Sequence, residues 1–107
     1  MNISILSALE QLQESKNVFM EVFKHGTLSV EIYRPEKKDY QQPHDRDEVY
    51  VVISGSGVFL NDQVRTPFEP GTFLFVPAGI EHRFESFTED FATWVIFYGP
   101  KGGEQNV

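Results

Sequence analysis

The chain has 107 residues, 40% of them hydrophobic, with ten phenylalanines, no cysteine, and 16 acidic against 9 basic residues for a formal charge of −7. That length suits one compact domain with a single core, and the acidic balance argues against partners that present phosphate, so neither nucleic acid nor an anionic membrane is expected. Disulfides, thiolate metal ligands and a cysteine nucleophile are excluded together.

The opening MNISILSALEQLQESKN lacks the basic start and cleavage site of a secretory signal, and no run approaches the roughly eighteen apolar residues of a membrane span. The expected setting is soluble and cytoplasmic. Ile3, Leu6, Leu9 and Leu12 recur every third residue, which predicts a short helix over 3–14, capped by Ser4 or Ser7 and packed through Leu6 and Leu9. Beyond Asn17, VFMEVFKHGTLSVEIYRP reads as a β-hairpin turning at His25-Gly26. The polar RPEKKDYQQP, with a proline at each side, reads as a loop. Strands are predicted near 48–54, 57–60, 63–66, 72–76, 81–87 and 92–98, a density that indicates an all-β sandwich or barrel. Residues 99–107 have the composition of a flexible tail. The expected organisation is one domain over 1–107, with a barrel core at about 18–98 preceded by a helical segment over 1–17.

VYVVI, FLFV and WVIFY are apolar at consecutive positions, so both faces of those strands need cover. One short helix supplies little of it, and a homodimer is the expectation that follows.

PHDRDEVYVVISGSG, residues 43–57, sets His44 and Glu48 against a hydrophobic strand, and a second histidine, His82, follows the turn Pro77-Ala78-Gly79. Imidazole with carboxylate suits Fe, Mn, Ni, Cu or Zn. On one straight strand residues 44 and 48 would stand about 13 Å apart, too far to share an ion, so a bend at Asp45-Arg46-Asp47 is required. Asp45 and Asp47 read as turn-formers, His25 as a solvated turn residue, and Gly55 and Gly57 as turn glycines. Tyr50 and Val52 share parity with Glu48, as Phe84 does with His82, so all three are expected to line a pocket behind the ligands.

These segments resemble the two motifs of the cupin superfamily. His44, Glu48 and Gly55 fall on the second His, the Glu and the Gly of H-x-H-x(3,4)-E-x(6)-G. Gly71, Pro77, Gly79 and His82 fit G-x(5)-P-x-G-x(2)-H-x(3)-N. Gln42 stands where the family has its first metal-binding His, as a carbonyl-oxygen ligand, an outer hydrogen-bonding residue or an ordinary loop residue, and Ser86 replaces the final Asn. The resemblance implies an antiparallel jelly-roll (cupin) β-barrel. It also implies a divalent metal on His44, Glu48 and His82, and a metal-dependent enzyme of dioxygenase, decarboxylase, isomerase or lyase type acting on a small organic molecule. The alternative is a non-catalytic small-molecule-binding or sensor module of the same fold. No separate base stands out beyond Tyr50, Glu31 and Tyr33, and Arg46 has no assigned part.

Overall fold

The computed structural model describes residues 1–105. One helix, α1 (Ile5–Ser15), precedes eight strands: β1 (Phe19–His25), β2 (Leu28–Tyr33), β3 (Asp47–Ser54), β4 (Gly57–Asn61), β5 (Val64–Phe68), β6 (Phe73–Val76), β7 (His82–Glu85) and β8 (Ala92–Tyr98). They form two antiparallel sheets, β1-β2-β8-β3-β6 and β5-β4-β7, closed face to face as a jelly-roll barrel. The hairpin turn falls at Gly26, whose φ of +59° suits a residue without Cβ.

Ser4 caps α1 by accepting from the Ser7 N–H at 3.0 Å, and Lys16 ends it in the left-handed region. The helix packs on the outer face of the larger sheet through Ala8 and Leu12, with Leu9 beside them, against Met20, Val22, Ile32, Ile53 and Trp94. Leu6, expected on that face, is 68% exposed. A spacing of three slips by about 60° per step on a helix that turns 100° per residue, so Leu6 lies about 120° around from Leu12.

Inside the barrel the core is largely aromatic. Tyr50, Phe59, Phe68, Phe84 and Phe91 stack edge to face or tilted, with ring centroids 4.5 to 5.6 Å apart, and Tyr33, Val52, Val76 and Val95 complete the cluster. Burial of these rings is the main source of stability. It also corrects an expectation: Tyr50, Val52 and Phe84 point inward as parity requires, but they fill the core instead of lining a pocket.

The outer face of the larger sheet carries two apolar rows that cross four strands, Phe75–Val49–Ile96–Val30 and Phe73–Val51–Trp94–Ile32. The helix covers the Ile32–Trp94 end, while Phe73 and Phe75 stay 65% and 43% exposed. Residues 99–105 do not form the flexible tail expected from composition. The Gly102 N–H donates to the Asp45 carbonyl at 2.6 Å and the Glu104 N–H to Asp47 Oδ2 at 2.8 Å. Residues 106–107 of that expected tail lie outside the described residues.

Candidate metal centre

Three local features bring distant residues to one point. His44 lies in the loop before β3, and the bend at Asp45-Arg46 turns the chain so that Glu48, the second residue of β3, faces inward beside it. Asp47 sits between them. It is a turn-former by type, yet it is 5% exposed, and its Oδ1 accepts the Ala78 N–H at 2.9 Å. The Gly79 N–H donates to the His44 carbonyl at 2.7 Å, with Gly79 at φ +81°. The Pro77-Ala78-Gly79 turn is thereby stitched to the His44 loop, and the strand it launches opens with His82.

The result is a compact donor set. His44 Nδ1 is 2.9 Å and His82 Nε2 2.8 Å from Glu48 Oε1, the two imidazole centroids are 5.1 Å apart, and one donor atom from each residue lies within 4.8 Å of the others. Glu48 and His82 are fully buried, while His44 is partly exposed at the edge of the cluster.

His82 Nδ1 faces the Ile80 carbonyl at 2.9 Å and donates to it. In a neutral ring Nε2 then carries only a lone pair, and its short distance to Glu48 Oε1 sets acceptor against acceptor. His82 Nε2 and Glu48 Oε2 are both buried without a hydrogen-bond partner among the described residues. A cation among these atoms would satisfy them, and two imidazoles with a carboxylate form a donor set for a first-row divalent ion. The residues therefore fit the metal.

The electrostatics agree. Burial works to raise the Glu48 carboxyl, but the contacts and charges of His44 and His82 outweigh it and hold it below its ordinary value. Burial works to lower the His82 imidazole, but Glu48 and the Ile80 carbonyl hold it above. The cluster attracts positive charge, either a proton or a metal.

A cavity of about 750 Å³ adjoins His44, within the usual range for small-molecule sites, and Glu31, Tyr33, Gln41, Arg46 and Phe97 share its lining. The Glu31 carboxyl is held above its ordinary range by burial and by the facing charge of Glu21. Burial and a hydrogen bond to Asp39 push the Tyr33 phenol up. Arg46 donates to the Thr27 carbonyl and lies 5.8 Å from the centroid of the Phe97 ring, which gives it a place in the cavity wall.

Gln42, the candidate fourth ligand, is exposed and outside the cavity lining. The amide that enters is that of Gln41, which accepts from the Tyr50 hydroxyl at 3.0 Å. Tyr50 is fully buried, and burial followed by the charge of Glu48 holds its phenol well above the ordinary range. Asp45, in the bend, is exposed as expected; His25 is exposed too, but as the last residue of β1, the turn itself falling at Gly26-Thr27. Asp39 and Gln41 escaped the sequence reading because they lie in a polar loop without periodicity, where nothing marks a residue as buried.

A jelly-roll barrel with two histidines and a glutamate gathered at one end of its interior defines a class of metal-site barrels. The chain belongs to the cupin family: the family model described as the Cupin domain matches residues 29–98. The chain is 32% identical over 85 residues to an uncharacterised protein of Streptomyces coelicolor, across 78% of this chain and 81% of that protein. It is 33% identical over 88 residues to acireductone dioxygenase 1 of Coprinopsis cinerea, across 74% of this chain and 48% of the enzyme, so it spans about half the enzyme's length. A crystal structure of a protein of unknown function from Rhizobium leguminosarum bv. viciae 3841 shares the fold, with a TM-score of 0.74 at 19% identity over 92% of this chain and 95% of that one.

Proposed function

We propose that this cupin is a metal-dependent enzyme acting on a small organic molecule, with His44, Glu48 and His82 holding the ion. The observation that carries the reading is the pair of buried, partnerless atoms, His82 Nε2 and Glu48 Oε2, because a protein rarely leaves such groups unmatched unless they bind something. A divalent ion held by the two imidazoles and the carboxylate would supply a Lewis acid or a redox centre. Dioxygenase chemistry is the first to assay, given the acireductone dioxygenase relative.

The protein's own groups divide the remaining work. Phe97 and the Tyr33 ring give the cavity apolar walls against which a small molecule can pack, and Arg46, tied to the Thr27 carbonyl, forms part of its rim. Glu31, half-buried in the wall near His44 and with its carboxyl raised, is placed to hold or accept a proton from a bound molecule.

Protein purified without chelator or a histidine tag, then offered Fe(II), Mn, Ni, Cu and Zn in turn, should retain one ion per chain, and oxygen uptake with an acireductone is the first activity to measure. Failure to hold any of the five would leave a non-catalytic small-molecule-binding module in place of the enzyme.

A further inference from the structure

Glu48 keeps one carboxylate oxygen without a donor, although the Tyr50 phenol is the next side chain on the same inward face of β3. A tyrosine hydroxyl has one proton, and beside a carboxylate that proton ordinarily goes to the charged oxygen, since charge-assisted hydrogen bonds are the stronger ones. Here it goes to Gln41 Oε1, 3.0 Å away.

The cause lies one residue further out. Gln41 Nε2 donates to Asp39 Oδ2 at 2.9 Å. Asp39 also accepts from the Tyr33 hydroxyl at 2.7 Å, from the Phe84 N–H at 2.9 Å and from the Gln41 N–H at 3.1 Å. A carboxylate receiving four donors has only acceptor atoms to offer. Turning the Gln41 amide over would set its oxygen against Asp39, so the network holds that oxygen toward Tyr50. Asp39 is 3% exposed and Tyr50 fully buried, so both ends of this relay are shielded from solvent, with Gln41 half-buried between them.

We propose that Gln41 is a positioning residue of the metal site: it draws the Tyr50 proton away from Glu48 and so keeps that carboxylate free to act as a ligand. The inference rests on the metal-binding reading above. It gives the amide of this loop an indirect part, through Tyr50, where ligation by the exposed Gln42 would have been direct.

The test is zinc(II) affinity, measured by competition with a chromophoric chelator at neutral pH, for wild type, Gln41→Leu, Tyr50→Phe and the double variant. With Gln41→Leu the phenol loses its acceptor and turns to Glu48, and zinc should bind about tenfold more weakly, the change expected from one hydrogen bond to a charged group. Tyr50→Phe has no proton to misdirect and should stay within about threefold of wild type, and the double variant should recover to the same level. A simple packing role for Gln41 would leave the double variant as weak as Gln41→Leu, and that result overturns the proposal, as does an unchanged Gln41→Leu. If circular dichroism shows Gln41→Leu unfolded, Tyr50→Phe decides alone: retained affinity supports the proposal, and a tenfold loss means that the hydroxyl assists the metal and overturns it. Wild type that takes up no zinc would bring down the metal reading itself, whereas zinc-binding wild type with the variants out of order would bring down this inference only.

Discussion

His82 holds Nε2 2.8 Å from Glu48 Oε1 while its Nδ1 donates to the Ile80 carbonyl. The ring has one proton when neutral and that proton is committed, so the closeness of the two residues is a demand for a cation. Most of the expected behaviour of the protein follows from this pair.

Replacing His44, Glu48 or His82 by Ala should each abolish stoichiometric metal, read by elemental analysis after dialysis. His25→Ala and Asp45→Ala, both exposed, the first at the end of β1 and the second in the bend before β3, should leave it unchanged. Full metal in both His44→Ala and His82→Ala would refute the site.

The same pair sets a pH dependence. The folded value of His82 is raised, so its contribution to metal-free stability is complete below its ordinary 6.5 and is lost as pH rises through the folded value. That of Glu48 is lowered, so its contribution is complete above 4.5 and is lost as pH falls through the folded value. The metal-free protein should gain most from the pair between those two values. Metal needs deprotonated ligands, so the extra stability zinc confers should grow as pH rises and vanish on acidification from about pH 6.5 to 4. Melting temperature against pH, with and without zinc, measures both curves. Identical optima would contradict the account.

Asp47 is not a ligand, yet its carboxylate ties the Ala78 turn and the Glu104 segment to the start of β3. Asp47→Ala strands two backbone donors and should cost about 1–3 kcal/mol, a fall in melting temperature on the order of 10 °C for a domain of this size. Zinc affinity should drop with it, since the turn also carries the hydrogen bond to His44. Asp47→Asn keeps one acceptor oxygen and should lose less.

Two glycines of positive φ should respond differently to alanine. A Cβ on Gly55 would lie 2.5 Å from the Phe91 Cα, whereas one on Gly26 meets nothing within 4 Å. Gly26→Ala should cost about 1 kcal/mol of backbone strain. Gly55→Ala adds overpacking and should cost at least about 2 kcal/mol. Equal denaturation midpoints would show that the β3–β4 connection can move away from Phe91.

The uncovered end of the apolar rows bears on assembly. Phe73 and Phe75 are exposed on β6 beside Val49 and Val51, and the expected state remains a two-fold homodimer joined through this face. Sedimentation at twice the chain mass, reduced to one chain by the Phe73→Lys/Phe75→Lys pair, is the expected result. A wild-type monomer at micromolar concentration would exclude it.

Strand positions, the hairpin at Gly26 and the inward parity of Glu48, Tyr50, Val52, His82 and Phe84 are all legible in the sequence, because turn residues and period-two patterning act over a few neighbours. That His44, Glu48 and His82 share one centre was implied by the resemblance of their two segments to the cupin motifs; local turns place each residue, and the long-range bonds from Gly79 to His44 and from Ala78 to Asp47 bring them together. Three things needed the closed barrel. Inward residues became core or site according to how the aromatic rings filled the interior, which strand parity does not encode. Leu6 faced solvent because a row spaced by three drifts around the helix, and only the docked sheet shows which part of the row is covered. Asp39 was buried and Gln41 half-buried because the loop between β2 and β3 folds inward, where the Tyr33 hydroxyl, the Phe84 N–H and the Tyr50 hydroxyl await them. Those partners come from strands far apart along the chain, and a polar loop carries no periodic signal to bring them to mind.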